Sequence, residues 1–270
     1  GPYCQRAGYD FLIQAMGGLM SVTGEAENKP GGGPQKIGVA LTDILTGLYT
    51  VIGALAALAW RDKTGKGQHV DMSLLDVTVA AMANQAMNYL IADEVPKMMG
   101  NAHPNIVPYE AYRAADHYII LAVGNDAQFR RFCEIADRLD LCNDERFSTN
   151  RNRVENRDEL GSILHEIIEA KPRDFWLEEM EKVGVPCGPI NNLKQVFNDP
   201  HVIARGNKTN LLHSEAGVLP TVANPIRFSA SPIAHERAPP LLGEDNDEVL
   251  KKLLNLSSDE IKLLKDREII

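Results

Sequence analysis

Long unbroken apolar runs are missing from this chain. The longest, residues 51–60, contains Gly53 and falls well short of the roughly 20 residues that cross a bilayer. No signal or transit peptide pattern is visible either, so no membrane partner is expected. Cysteine is scarce: Cys4, Cys133, Cys142 and Cys187 are scattered without a C-x-x-C pair. That spacing excludes a disulfide-stapled secreted scaffold. Read as reduced thiols, the four predict the cytoplasm, or the mitochondrial matrix in a eukaryote. The seven histidines form no cluster with them at zinc-ligand spacing, so no metal is expected. Positive charge is in deficit too, with 28 Lys and Arg against 37 Asp and Glu and a net charge of -9. No basic footprint remains for nucleic acid or an anionic lipid surface.

What is present is apolar mass. Hydrophobic residues make up 44% of the 270, enough for one large domain or two ordinary ones. Helical spacing predicts a helix over 9–22, ending at or just after Gly17-Gly18, and KPGGGPQ at 29–35 is a loop. A long helix is predicted over 43–62, where Gly47, Gly53, Ala54, Ala56, Ala57 and Ala59 suggest close packing and burial on most sides. The turn Thr64-Gly65-Lys66-Gly67 leads into a predicted strand at 68–72 and a helix at 74–91. Pro, Gly, Asn and His gather at 96–108 and mark a boundary. Beyond it, 118–123 predicts a strand and 126–139 a helix with Phe129, Phe132, Cys133 and Ile135 inward. Helices follow at 156–170 and 172–183, with Pro172 in a first turn. An extended piece at 185–190, a short helix at 193–198, hairpin character at 210–228 and an extended proline-rich stretch at 229–242 come next. Helices at 246–254 and 258–265 close the chain, the second capped by Ser257 or Ser258.

The residue that calls for explanation is Asp43. A carboxylate at a helix start meets unpaired N–H groups and the positive end of the helix dipole, which favour its ionised form. Such a group can attack a carbonyl and carry an acyl unit. Taken alone, a capping role for Thr42 or Asp43 explains the residues better. Gly124 follows a predicted strand, where a glycine permits close backbone approach to a ligand, although a plain turn is the better account of the residues alone. His103 is a lone loop histidine and is read as structural. The turn 63–68 lacks the G-x-x-x-x-G-K-[ST] spacing of a phosphate cradle.

Seven blocks carry a resemblance that spans the chain. GPYCQRAGYDFLIQAMGGLMSVTGE, the TD-x-x-TG around Asp43, TGKGQHVDMSLLD, HPNIVPYEAY, VGNDAQF, VPCGPI and APPLLGEDNDEVL follow one another as in the class III (CaiB/BaiF) CoA-transferases. The chain resembles only the later part of a complete member, without the N-terminal nucleotide-binding-like region. The resemblance implies an α/β fold: part of a Rossmann-like large domain at 1–100, a smaller α/β domain at 101–198 and a return segment at 199–270. It also implies an interlocked homodimer. Asp43 would be the nucleophile, and Arg6, Gly8, Tyr9 and Leu74 would lie along coenzyme A. Gly124 and Asn125 would form the loop over the reactive centre, although some members carry a longer glycine run than VGND. The substrates implied are an acyl-CoA and a carboxylic acid, with no tightly bound cofactor. GPYCQRAGYD, VPYEAY and GPINN resemble enzymes that move CoA between succinate and another short dicarboxylic acid such as glutarate. Two alternatives stay open. One is an acyl-CoA racemase of the same superfamily, disfavoured because those enzymes carry a histidine base where Tyr9 stands. The other is a non-catalytic interaction fragment.

Overall fold

A computed structural model describes residues 1–234 and 236–270. His235, within the proline-rich stretch expected at 229–242, lies outside the described residues. Internal contacts separate Gly1–Ile190 from Asn191–Ile270.

The first unit opens with α1 (Asp10–Met16), a 3₁₀ turn at Leu19–Ser21, α2 (Leu41–Thr64), α3 (Leu74–Ala81) and α4 (Ala83–Ala92). The helix expected over 9–22 stops at Gly17 because Gly18 takes a left-handed φ of 87°, open to glycine at little cost. Gly17 is also a contact point between α1 and α3. A Cβ there would sit 2.4 Å from Thr78 Cγ2 and 3.0 Å from the Ile13 carbonyl oxygen. Thr78 is buried and β-branched, so it has little room to yield. We expect Gly17→Ala to cost roughly 1–3 kcal/mol by overpacking, read as a lowered melting temperature. An unchanged melt would mean that the two helices separate freely.

The helix expected over 74–91 is two helices, because Met82 N–H turns to the Val79 carbonyl and Ala83 adopts a φ of 46°. The strand expected at 68–72 is irregular chain without a ladder. A strand needs neighbours for its N–H and C=O groups, and none of the described strand pairs includes this segment.

After the boundary the chain forms β1 (Tyr109–Arg113), β2 (Tyr118–Ala122), α5 (Asp126–Ile135), α6 (Leu139–Asn143), α7 (Asn150–Glu155), α8 (Arg157–Glu169), α9 (Arg173–Lys182) and β3 (Cys187–Pro189). The three strands make an antiparallel sheet in the order β1-β2-β3, with Ile120 of β2 opposite Ala111 and Gly188. Ile119 and Leu121 alternate inward along β2. On them pack Leu160, Leu164 and Ile168, one face of α8 at four-residue spacing, and Trp176 and Met180 of α9. The buried Trp176 indole keeps a partner by donating to the Ile168 carbonyl at 2.9 Å. Phe129, Phe132 and Cys133 of α5 close the core, while Ile135 is only half-buried.

The second unit contains α10 (Leu193–Asn198), α11 (Pro200–Ala204), the hairpin β4 (Lys208–His213) and β5 (Gly217–Val222), α12 (Asn246–Leu254) and α13 (Ser258–Asp266). Ser257 caps α13 in a capping box with Glu260.

α2 departs most from expectation. Instead of burial on most sides, Thr42 is its one buried residue, and Ile44, Leu48, Val51, Ile52, Leu55 and Leu58 are exposed. Small residues do permit close packing, but within this unit α2 meets mainly α1 and α3, which cover one narrow stripe. At 24 residues it is, by length and composition, a helix apolar enough to cross a membrane. The unbroken apolar run at 51–60 is only part of this helix, whose first ten residues include Thr42, Asp43, Thr46 and Thr50. Thr46 and Thr50 turn their hydroxyls back to the carbonyls of Thr42 and Thr46, which hides their polarity.

Candidate active site

Asp43 lies in the first turn of α2 and is exposed. Neither it nor Thr42 provides the cap. The residue at the N-cap position is Ala40, whose side chain accepts nothing, and the cap comes from α1. Asp10 Oδ1 accepts the Thr42 N–H at 2.8 Å and the Thr42 hydroxyl at 2.6 Å, while Oδ2 accepts the Gln14 amide at 2.7 Å. Burial works to raise the Asp10 pKa. The hydrogen bonds from Thr42 and Gln14 outweigh it and hold the group below the ordinary carboxylate value. Gln14, fully buried, also accepts the Ile37 N–H at 3.0 Å and donates to the Val39 carbonyl at 3.4 Å. One face of α1 therefore holds both the approach to α2 and its first turn. The Asp43 side chain is left without a hydrogen bond or ion pair among the described residues.

Three of the four residues expected along coenzyme A come together. Arg6, Gly8 and Leu74 line a cavity of about 360 Å³ whose walls include Ile13, Met16 and Met72. The Arg6 guanidinium lies 3.9 Å from the centre of the Tyr3 ring, which also lines the cavity, and it has no carboxylate partner among the described residues. It offers free N–H donors beside an apolar wall, a combination suited to a ligand with an anionic part and a neutral arm. Tyr9 does not line this cavity; it stands at the N-cap position of α1, 79% exposed.

Gly124 and Asn125 do not line it either. Asn125 caps α5 by accepting the Gln128 N–H at 2.9 Å, and the Gly124 N–H donates to Gln128 Oε1 at 2.7 Å. Behind them Arg153, fully buried, donates to Asp126 Oδ1 in the first turn of the same helix. His103 is engaged structurally: Nδ1 accepts the Asn105 N–H, and its carbonyl accepts Arg157. Gly65 ends α2 in the left-handed region, so the turn 63–68 is a helix stop and not a phosphate cradle.

Asp10 and Gln14 were not anticipated as site residues. Their signal was legible: two polar residues four apart, on one face of an otherwise apolar helix. A glutamine on such a face must satisfy its amide internally.

Residues 1–246 match the family model for CoA-transferase family III. This chain belongs to that family. It is 47% identical over 94% of its length to a succinate–glutarate CoA-transferase of Agrobacterium fabrum, covering 62% of that protein. To the human succinyl-CoA:glutarate CoA-transferase it is 42% identical over 94% of its length, covering 57%. A crystal structure of a CaiB/BaiF family protein from Brucella suis superimposes with a TM-score of 0.78 at 47% identity, covering 94% of this chain and 65% of that one. The chain of this family III member thus spans about six-tenths of the length of its relatives. Its mixed helices and sheet are those of the CaiB/BaiF structures.

Proposed function

We propose that this protein is a CoA-transferase that moves CoA between short carboxylic acids, succinate and another dicarboxylate such as glutarate, with Asp43 as the covalent carrier. The Asp43 carboxylate attacks the donor thioester carbonyl, the C–S bond breaks, and CoA leaves as thiolate from an aspartyl-acyl anhydride. The thiolate attacks the Asp43 carbonyl, freeing the donor acid and leaving an aspartyl-CoA thioester. The acceptor carboxylate then attacks that thioester, and the released thiolate takes the new acyl group from the second anhydride. Charge and electrons balance at every step, and the cycle calls for no tightly bound cofactor.

The observation that carries this reading is the unpaired Asp43 carboxylate, held at a positive helix end whose cap is already supplied by Asp10. The cavity beside Arg6, Gly8 and Leu74 supports a place for the CoA thioester, and the relatives' names support the acid pair. On the same reading Tyr9 packs on the ligand, and Gly124 and Asn125 shield the anhydride from water. It assigns 1–100 to a large CoA-binding domain, 101–198 to a small one and 199–270 to a return segment. It also makes the protein a homodimer, for which the exposed apolar face of α2 is the supporting observation. The unpaired cysteines support a reducing, cytoplasmic or matrix location.

The test is incubation of the full-length protein with succinyl-CoA and glutarate in deuterated water. The expected result is CoA appearing on glutarate with no deuterium at an α-carbon. Deuterium uptake without transfer would make the protein a racemase. CoA binding with neither reaction would make it a non-catalytic module.

A further inference from the structure

We propose that Asp10, acting with Gln14 and Thr42, is the positioning residue for Asp43, taking over the capping of α2 so that the Asp43 carboxylate stays unpaired. The inference rests on Asp43 as the acyl carrier and adds what keeps it available. The first turn of a helix has four N–H groups without intrahelical acceptors. The Ala40 side chain cannot accept one, and the third helical residue is the position from which a side chain folds back towards the N-cap in a capping box. Asp43 occupies that third position. Left to itself it would be drawn into the cap and its oxygens would be spent.

Asp10 prevents this from outside the helix. An ionised carboxylate has about four acceptor sites. The Thr42 N–H, the Thr42 hydroxyl and the Gln14 amide converge on those of Asp10. The same Gln14 clamps Ile37 and Val39, so two side chains one helical turn apart on α1 fix the backbone on both sides of the helix start. Thr42 is itself buried, which leaves its hydroxyl no water to bond instead. The arrangement needs Asp10 ionised, because a protonated carboxyl gives up acceptor capacity. With its pKa held below the ordinary carboxylate value, the cap is complete above the unfolded value of about 3.9 and is lost as pH falls through the lower folded value.

The test uses the full-length protein carrying Asp10→Ala, Asp10→Asn, Thr42→Val or Thr42→Ser. Three quantities are followed: single-turnover acylation of Asp43, KM for the acyl-CoA, and amide hydrogen exchange at Thr42 and Asp43. Asp10→Ala should slow acylation roughly 10- to 100-fold, the scale of a small misplacement of a reacting group, at nearly constant KM and below the melting temperature. Asp10→Asn keeps an oxygen for Thr42 and should recover part of the rate. Thr42→Ser should behave as wild type and Thr42→Val should not. Acylation at the wild-type rate in Asp10→Ala would overturn the proposal, as would a loss in both Asp10 variants equal to the fraction unfolded. Should Asp10→Ala fail to fold, Thr42→Val against Thr42→Ser decides on the same readouts. If the wild type does not acylate Asp43, the CoA-transferase reading fails by itself. Hydrogen exchange then decides the positioning claim: acceleration of about tenfold at Thr42 and Asp43 in Asp10→Ala supports it, and unchanged exchange overturns it.

Discussion

Asp43→Asn should abolish CoA exchange while leaving the fold nearly untouched. The stability side of this expectation comes from the geometry. Asp43 is exposed, its side chain bonds nothing among the described residues, and the cap of α2 belongs to Asp10. The amide loses only the favourable interaction of a charge with the helix dipole, about 0.3–1 kcal/mol. The chemical side is far larger. An amide is neutral and a poor nucleophile, so neither anhydride nor thioester can form. Removing a covalent carrier lowers turnover by roughly 10³-fold or more. Circular dichroism and thermal melting would follow the first effect and succinyl-CoA-dependent exchange the second. Exchange persisting within about tenfold of wild type would remove Asp43 from the chemistry.

Arg153→Met should strongly destabilise the unit formed by Gly1–Ile190. Arg153 is fully buried, and its guanidinium lies 4.4 Å from the centre of the Phe129 ring. Its Nε donates to the Val107 carbonyl at 2.7 Å, Nη1 to the Phe147 carbonyl at 2.9 Å and Nη2 to Asp126 Oδ1 at 2.7 Å. Methionine would keep much of the stem's packing and strand both carbonyls. Each buried, unsatisfied acceptor costs about 1–3 kcal/mol, which gives about 2–6 kcal/mol together. The Asp126 pair adds little, because that side chain is 56% exposed and solvent screens it. Against the 5–15 kcal/mol of a typical domain this is a large fraction. Urea unfolding would measure it, and a change below about 1 kcal/mol would mean that water or a neighbour reaches those carbonyls.

The small α/β layer and the last helices were legible in the sequence because their signals are local. Strand alternation at Ile119 and Leu121, the Leu160-Leu164-Ile168 spacing and the Ser257 cap each sit within a few residues. Tyr109–Arg113 carries no clear strand signal, because YEAYR mixes polar and aromatic residues and becomes a strand by pairing with β2. Burial of α2 was misjudged for a related reason. Composition says that a helix can pack closely, whereas its covering depends on what else is present, and α1 with α3 leaves most of it bare.

In the candidate site, Asp43 draws attention through helix-start chemistry and family resemblance, and Arg6, Gly8 and Leu74 line one cavity. Asp10 was passed over because its partner lies 32 residues away in sequence. The local pattern, an acidic residue in a first turn with a glutamine four residues on, marks a polar face without naming the distant helix start that it caps.

The central claim is that one carboxylate carries the acyl unit, and trapping tests it most directly. The full-length protein would be mixed with isotopically labelled acyl-CoA, quenched within a turnover, digested and mapped by mass spectrometry. The expected label lies on the peptide containing Asp43, and it is absent from Asp43→Asn. Label on another residue, or brisk exchange with no covalent label, would contradict the account.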